Sequence, residues 1–209
     1  MKRISRYLPL VALPLFCIQF AHAQSGFDVN MGFGTYHAKS TGTSIDTFGD
    51  GTLYPTPSLG GFFLGFGGNL MLWQKVGVGF EANLQPNKPD YAGLQARTTF
   101  WDVNGIYQPI STKRASLQLQ GGIGGANMKF YYNSQYCDAF AGCSSQNQYL
   151  ESSNHFQVHG GVGVQVYLTD HVFVRPQFDI HYVHNFYQFG SNFVPGATVW
   201  VGYSFGDRP

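Results

Sequence analysis

From about Phe27 to Phe205 apolar residues alternate with small or polar ones at a period of two, and one face of the alternation carries almost no charge. The run Phe62-Phe63-Leu64-Gly65-Phe66-Gly67-Gly68-Asn69-Leu70-Met71-Leu72 shows the pattern, and so does the stretch from Phe156 to Leu168. Side chains on a strand point to opposite faces in turn, so each run predicts a ribbon with one apolar face and one polar, glycine-rich face. Eight such runs can be read along the chain. They cover about Phe27 to His37, Gly61 to Leu72, Val76 to Gln85, Leu94 to Tyr107, Ala115 to Tyr131, His155 to Leu168 and Val172 to Tyr182, and a last run presents Ala197, Val199, Val201, Tyr203 and Phe205 on one side.

The segments between the runs alternate in length. Ala38 to Gly60, Pro86 to Gly93, the stretch ending near Asn154 and Asn185 to Asn192 are long, with loop chemistry. Trp73 to Lys75, Pro109 to Arg114 and Thr169 to His171 are short. Long loops at one end and tight turns at the other predict an all-β fold, an eight-stranded antiparallel up-and-down transmembrane β-barrel with its apolar face in lipid. The long loops then lie outside, and the tight turns and both termini lie in the periplasm.

The start of the chain fits that address. Lys2, Arg3 and Arg6 precede an apolar stretch from Leu8 to Phe20 that ends in Ala21-His22-Ala23. This predicts a signal peptide over residues 1–23, cleavage after Ala23, and a barrel domain over 24–209 beginning at Gln24. Phe16 before Cys17 departs from a lipoprotein box, which calls for a small residue there. Nine of the twelve Lys and Arg lie beyond Ala23, against eleven Asp and Glu, so the domain is slightly acidic and lacks a nucleic-acid footprint. No segment after the leader reaches the ~18 consecutive apolar residues of a spanning helix. In an exported chain, Cys137 and Cys143 are expected to form a disulfide. No histidine stands beside them at ligand spacing, and neither a metal nor another cofactor is expected.

Charge placement tests the alternation. Asp28, Glu81, Asp102, Arg175, Asp179 and His181 all share parity with Gly, Asn and Gln rather than with Val, Leu and Phe. A Lys or Arg facing lipid at mid-membrane costs about 2–4 kcal/mol, less near the interfaces. Arg97 and Lys129 fall on the apolar side, but at strand ends where long stems reach headgroups. An interior this narrow is filled by side chains. Inward glycines such as Gly65, Gly122 and Gly163 leave room for Tyr167, Phe173 and Trp200. The carboxylates together with Arg175, His159 and His181 are expected to form a polar network that locks the barrel. Pro176 should mark a bulge or bend. Tyr36, Trp73, Trp101, Tyr107, Tyr131, Tyr182, Tyr203 and Phe205 cluster at strand ends and predict interfacial girdles.

The leader, the eight runs and the terminal Val199-Trp200-Val201-Gly202-Tyr203-Ser204-Phe205 resemble the bacterial outer-membrane eight-stranded barrels of the OmpA/OmpX-like class. The resemblance implies a monomer in outer-membrane lipid, with Tyr203 and Phe205 as the aromatics read by the barrel-assembly machinery. The tail from Gly206 to Pro209 departs by not ending on the aromatic, and the peptidoglycan-binding domain of some relatives is absent. The protein is expected to have a structural, adhesion or surface-interaction role, with the loops meeting an extracellular partner, rather than to be an enzyme. The segment with Tyr131, Tyr132, Asn133, the cysteines and Tyr149 is the best contact candidate, because loops on rigid scaffolds carry binding. Two rivals stand beside this reading. A lipid A-modifying barrel needs Ser or Thr, His and a carboxylate clustered on the lipid side. His37, His159, His181 and His184 lack a His-x-Ser pattern, and His155, after Ser152-Ser153, falls in a loop. A soluble, exported lipocalin-like barrel would turn the apolar face inward around a ligand.

Overall fold

A computed structural model of the chain describes residues 26–138 and 142–205. The expected leader over 1–23, its cleavage site before Gln24, Cys17 and the tail from Gly206 to Pro209 lie outside the described residues. Among the described residues eleven strands run in chain order: β1 (Phe27–Tyr36), β2 (Ser44–Ile45), β3 (Tyr54–Pro55), β4 (Phe63–Met71), β5 (Val76–Leu84), β6 (Asp90–Tyr91), β7 (Leu94–Ser111), β8 (Ala115–Asp138), β9 (Gly142–Tyr167), β10 (Val172–Val183) and β11 (Phe193–Phe205). Eight of them form a ring in which every neighbour is antiparallel, in the order β1, β4, β5, β7, β8, β9, β10, β11. The ring closes where Phe27 pairs with Phe205 and Tyr36 with Gly196. Closure leaves no free edge in lipid, where an unpaired N–H or C=O has no water to turn to.

The facing is the one the alternation predicts. Met31 is 58% exposed and Ile123 59% exposed, whereas Trp200, Arg175 and Asp179 are fully enclosed. The soluble-carrier rival needs the opposite arrangement, with its apolar face inside. Large inward groups sit over glycines: a Cβ on Gly65 would lie 2.5 Å from Trp200 Cη2 and 2.7 Å from Asn83 Oδ1.

Several boundaries differ from the sequence reading, each for a physical reason. Within the polar stretch from Tyr132 to Asn154, residues 132–138 and 142–154 are strand rather than loop. They continue β8 and β9 as a hairpin in which Asn133 pairs with Asn147 and Cys137 with Cys143, with a register shift between Phe130 and Tyr131. In its outer part Tyr132, Asn133, Asn147, Gln148, Tyr149 and Leu150 are exposed on both faces, so no alternation marks it, while the ladder hydrogen bonds form regardless. His155 accordingly sits in β9. Strand β7 runs past Tyr107 to Ser111, absorbing Pro109 at an irregularity between Tyr107 and Ile110. Pro176 produces no bulge: it stays in register opposite Val199, and the β9 ladder merely skips Arg175 and Pro176. Tyr36 is not a girdle residue. It is buried, with its ring 5.0 Å from Phe63 and 5.2 Å from His181. The remaining short strands lie in the long connections, where β6 turns into β7 through Ala92 and Gly93, both at positive φ, the backbone of a primed two-residue turn.

Gly65→Val is expected to destabilise the folded barrel by about 1–3 kcal/mol through overpacking against Trp200. Equilibrium urea unfolding in lipid vesicles reads the loss, and adding Trp200→Leu should recover part of it.

Candidate functional site

The interior divides into two layers. Toward the long-loop end, Tyr36, Phe63, Phe100, Phe186 and Val194 form an apolar plug. The sequence reading missed it because Phe63, Tyr36 and Phe100 share the inward parity with polar neighbours, and Phe186 comes from a loop. Against the plug lies the polar layer. Arg175 Nη2 donates to Glu81 Oε1 at 2.7 Å, and Gln120 and Gln177 both donate to Glu81 Oε2 at 3.1 Å. Asp179 Oδ1 accepts from Gln177 at 2.7 Å and lies 3.0 Å from His159 Nε2, while Asp179 Oδ2 accepts from Thr198 at 3.1 Å. Asp102 Oδ1 accepts from Gln157 at 2.5 Å and stands 3.9 Å from His181 Nδ1. The His159 and His181 rings stack at 4.6 Å, and the Arg175 guanidinium lies 5.4 Å from the Trp200 ring centre.

Six of the seven expected interior groups are thus gathered in one layer by β5, β7, β9 and β10. Asp28, the seventh, is also buried, but on β1 near the tight-turn end, opposite Asn69 and Ser204 in register. Glu81, His159 and Asp179 each bring a possible ligand atom within 4.8 Å of the others. Arg175 already supplies the positive charge at Glu81, and amides fill the remaining directions, so the set is accounted for as a hydrogen-bonded ion-pair layer. Cys137 and Cys143 are joined by a disulfide across the hairpin. Tyr203 and Phe205 face outward with rings 4.7 Å apart.

Above the plug opens a cavity of about 470 Å³ at the mouth, with Thr43, Tyr91, Phe130, Ser153, Tyr187 and Gln188 in its wall. The Tyr91 hydroxyl donates to Gln188 O at 2.5 Å and ties the β6 turn to the connection before β11. Burial, with Tyr187 adding to it, pushes the Tyr91 phenol up from 10.0 to about 12. Ser153 Oγ lies 2.6 Å from His155 Nε2, and His155 Nδ1 lies 3.2 Å from His184 O. This pair faces the mouth rather than lipid, and a backbone carbonyl stands where a triad would carry a carboxylate. It does not supply the lipid-side constellation that the lipid A-modifying rival requires.

The family of the outer membrane protein beta-barrel domain matches residues 8–205, and the chain belongs to it. It is a bacterial outer-membrane protein. No curated protein matches the sequence. Among solved structures, a major outer membrane protein of Thermus thermophilus shares 13% identity, with 87% of this chain and 99% of that one covered and a TM-score of 0.53. OprG of Pseudomonas aeruginosa shares 15% over 88% and 98% of the two chains, with a TM-score of 0.51. Neisserial surface protein A shares 11% over 86% and 96%, also with a TM-score of 0.51. At these identities the likeness is one of fold.

Arg175→Met is expected to cost about 3–5 kcal/mol, because it strands Glu81 as a buried charge. The double variant with Glu81→Gln should return most of that loss, and urea unfolding of the four proteins measures the coupling. A second expectation concerns the mouth. A phenol whose folded pKa exceeds its unfolded value keeps its proton longer when folded, so docking of the β6 turn is unaffected below pH 10 and weakens between about 10 and 12. Tyrosinate absorbance should show a late-titrating tyrosine that Tyr91→Phe removes.

Proposed function

We propose that this protein is a monomeric, internally plugged outer-membrane barrel with a structural, adhesion or surface-interaction role carried by its long connections. Residues 1–23 act in this reading as a removed signal peptide and 24–209 as the barrel domain. The tight turns face the periplasm, and Tyr203 and Phe205 serve the barrel-assembly machinery during insertion. The observation that carries the proposal is the β8–β9 hairpin. It prolongs two lipid-spanning strands well past the apolar belt and leaves Tyr132, Tyr149 and Leu150 exposed at its sides. Exposed tyrosines on a stiff, water-surrounded ribbon suit contact with another molecule, since tyrosine is enriched among the few residues that carry most of the binding energy at interfaces. The disulfide near the tip limits fraying of the ribbon. The filled interior supports a role other than conduction, because Arg175, Trp200 and the aromatic layer occupy the space a solute would need.

Replacing residues 132–150 by a short Asn-Gly turn should leave the barrel folded, as read by its heat-dependent gel shift, and abolish binding of expressing cells to host cells or matrix proteins. Retained binding by the shortened protein contradicts the assignment to the hairpin. Planar-bilayer recordings should show no steady conductance, and stable channels would contradict the plugged interior.

A further inference from the structure

The outward residues of β7, β8 and β9 change character in register as the strands leave the membrane. Val103, Ile123 and Val158 form one apolar row, and Trp101, Gly125 and Phe156 form the next. Above them stand Thr99, Asn127 and Asn154, with Asn127 Nδ2 donating to Asn154 Oδ1 at 2.6 Å. The following row is Arg97, Lys129 and Ser152. Rows two residues apart are separated by about 6–7 Å along a strand, and strands tilt by roughly 35–45°, so the cations stand on the order of 10 Å above the aromatic row. That is the order in which a leaflet itself changes, from hydrocarbon through the interface to the headgroups.

Arg97 and Lys129 are direct cross-strand partners, an arrangement that repels when nothing lies between the two charges. Among the described residues neither meets a carboxylate within ion-pair distance. Arg97 Nη2 donates to Pro86 O at 3.2 Å, and its enclosed Nε has no partner. Glu151, the nearby acid on β9, lines the mouth cavity instead. A third cation, Lys88, sits 3.9 Å over the ring of Tyr131, one row further out on β8. The patch therefore offers two or three positive charges ringed by Thr, Ser and Asn donors, on the lipid side of the wall and above an aromatic belt.

We propose that this face of β7–β9 is a binding site for the phosphate groups of an outer-leaflet glycolipid. Arg97 and Lys129 hold the phosphate, Ser152 and Asn154 meet neighbouring sugar hydroxyls, and Trp101 and Phe156 lie against the acyl chains below. A lipid is the source rather than free phosphate because the cations directly continue a lipid-facing surface and are separated from the mouth by the barrel wall. The site rests on the proposed orientation, with the long connections outside.

Purified full-length protein in nonionic detergent, incubated with bis-phosphorylated lipid A or its dephosphorylated counterpart, tests the site by native mass spectrometry. The wild type should retain the phosphorylated form preferentially. Arg97→Gln with Lys129→Gln should weaken that retention about 25-fold, at about fivefold per cation. Lys75→Gln, which removes a cation at the opposite rim, should leave it unchanged, and each variant's heat-dependent gel shift reports folding. A folded double variant that keeps the preference, or a wild type without one, overturns the site. Displacement of the lipid by millimolar inorganic phosphate overturns the lipid source. Protease cleavage of the hairpin on intact cells reads the orientation separately, so an inverted barrel is distinguished from a missing site.

Discussion

Hydrocarbon offers no hydrogen-bond partner, and the architecture follows from that constraint. Each backbone N–H and C=O across the membrane must be satisfied within the protein, which eight antiparallel strands achieve by closing β11 onto β1. Closure imposes a strict inside and outside on every residue, because a slip of one position would turn a whole strand over. Pro176 shows how firm the constraint is. The chain tolerates a skipped stretch of one ladder there without losing register on either side.

Inside the ring a second requirement takes over. Eight strands enclose little space, so bulk on one strand must meet glycine on another. Trp200 lies against Gly32 and Gly65, and the Arg175 stem lies against Gly163. The same confinement makes isolated charge costly. Glu81 is therefore bound by one guanidinium and two amides, and Asp179 by an imidazole, an amide and a hydroxyl. Breaking one member would leave the others in an environment that cannot solvate them.

Both constraints lapse where the strands leave the bilayer. The wall then carries amides, hydroxyls and cations outward, while β8 and β9 continue as a two-faced hairpin in water. Mouth and rim face different solvents on the two sides of one wall. That is why Glu151 and Ser153 belong to a cavity while Ser152 and Lys129 belong to the membrane surface.

The alternation alone determined the strand count, the up-and-down order and the facing of Glu81, Asp102, Arg175, Asp179 and His181, since period two is a local property that a two-solvent wall forces on each strand. It failed where that forcing is absent. Tyr132 to Asn154 carries no contrast between faces and read as a loop, and the aromatic plug needed Phe186 from a connection whose path no periodicity encodes. Partnerships between residues far apart in the chain were likewise beyond it, such as Glu81 with Arg175 or Arg97 opposite Lys129. Those depend on how the strands align around the closed ring, and only the tertiary structure sets that alignment.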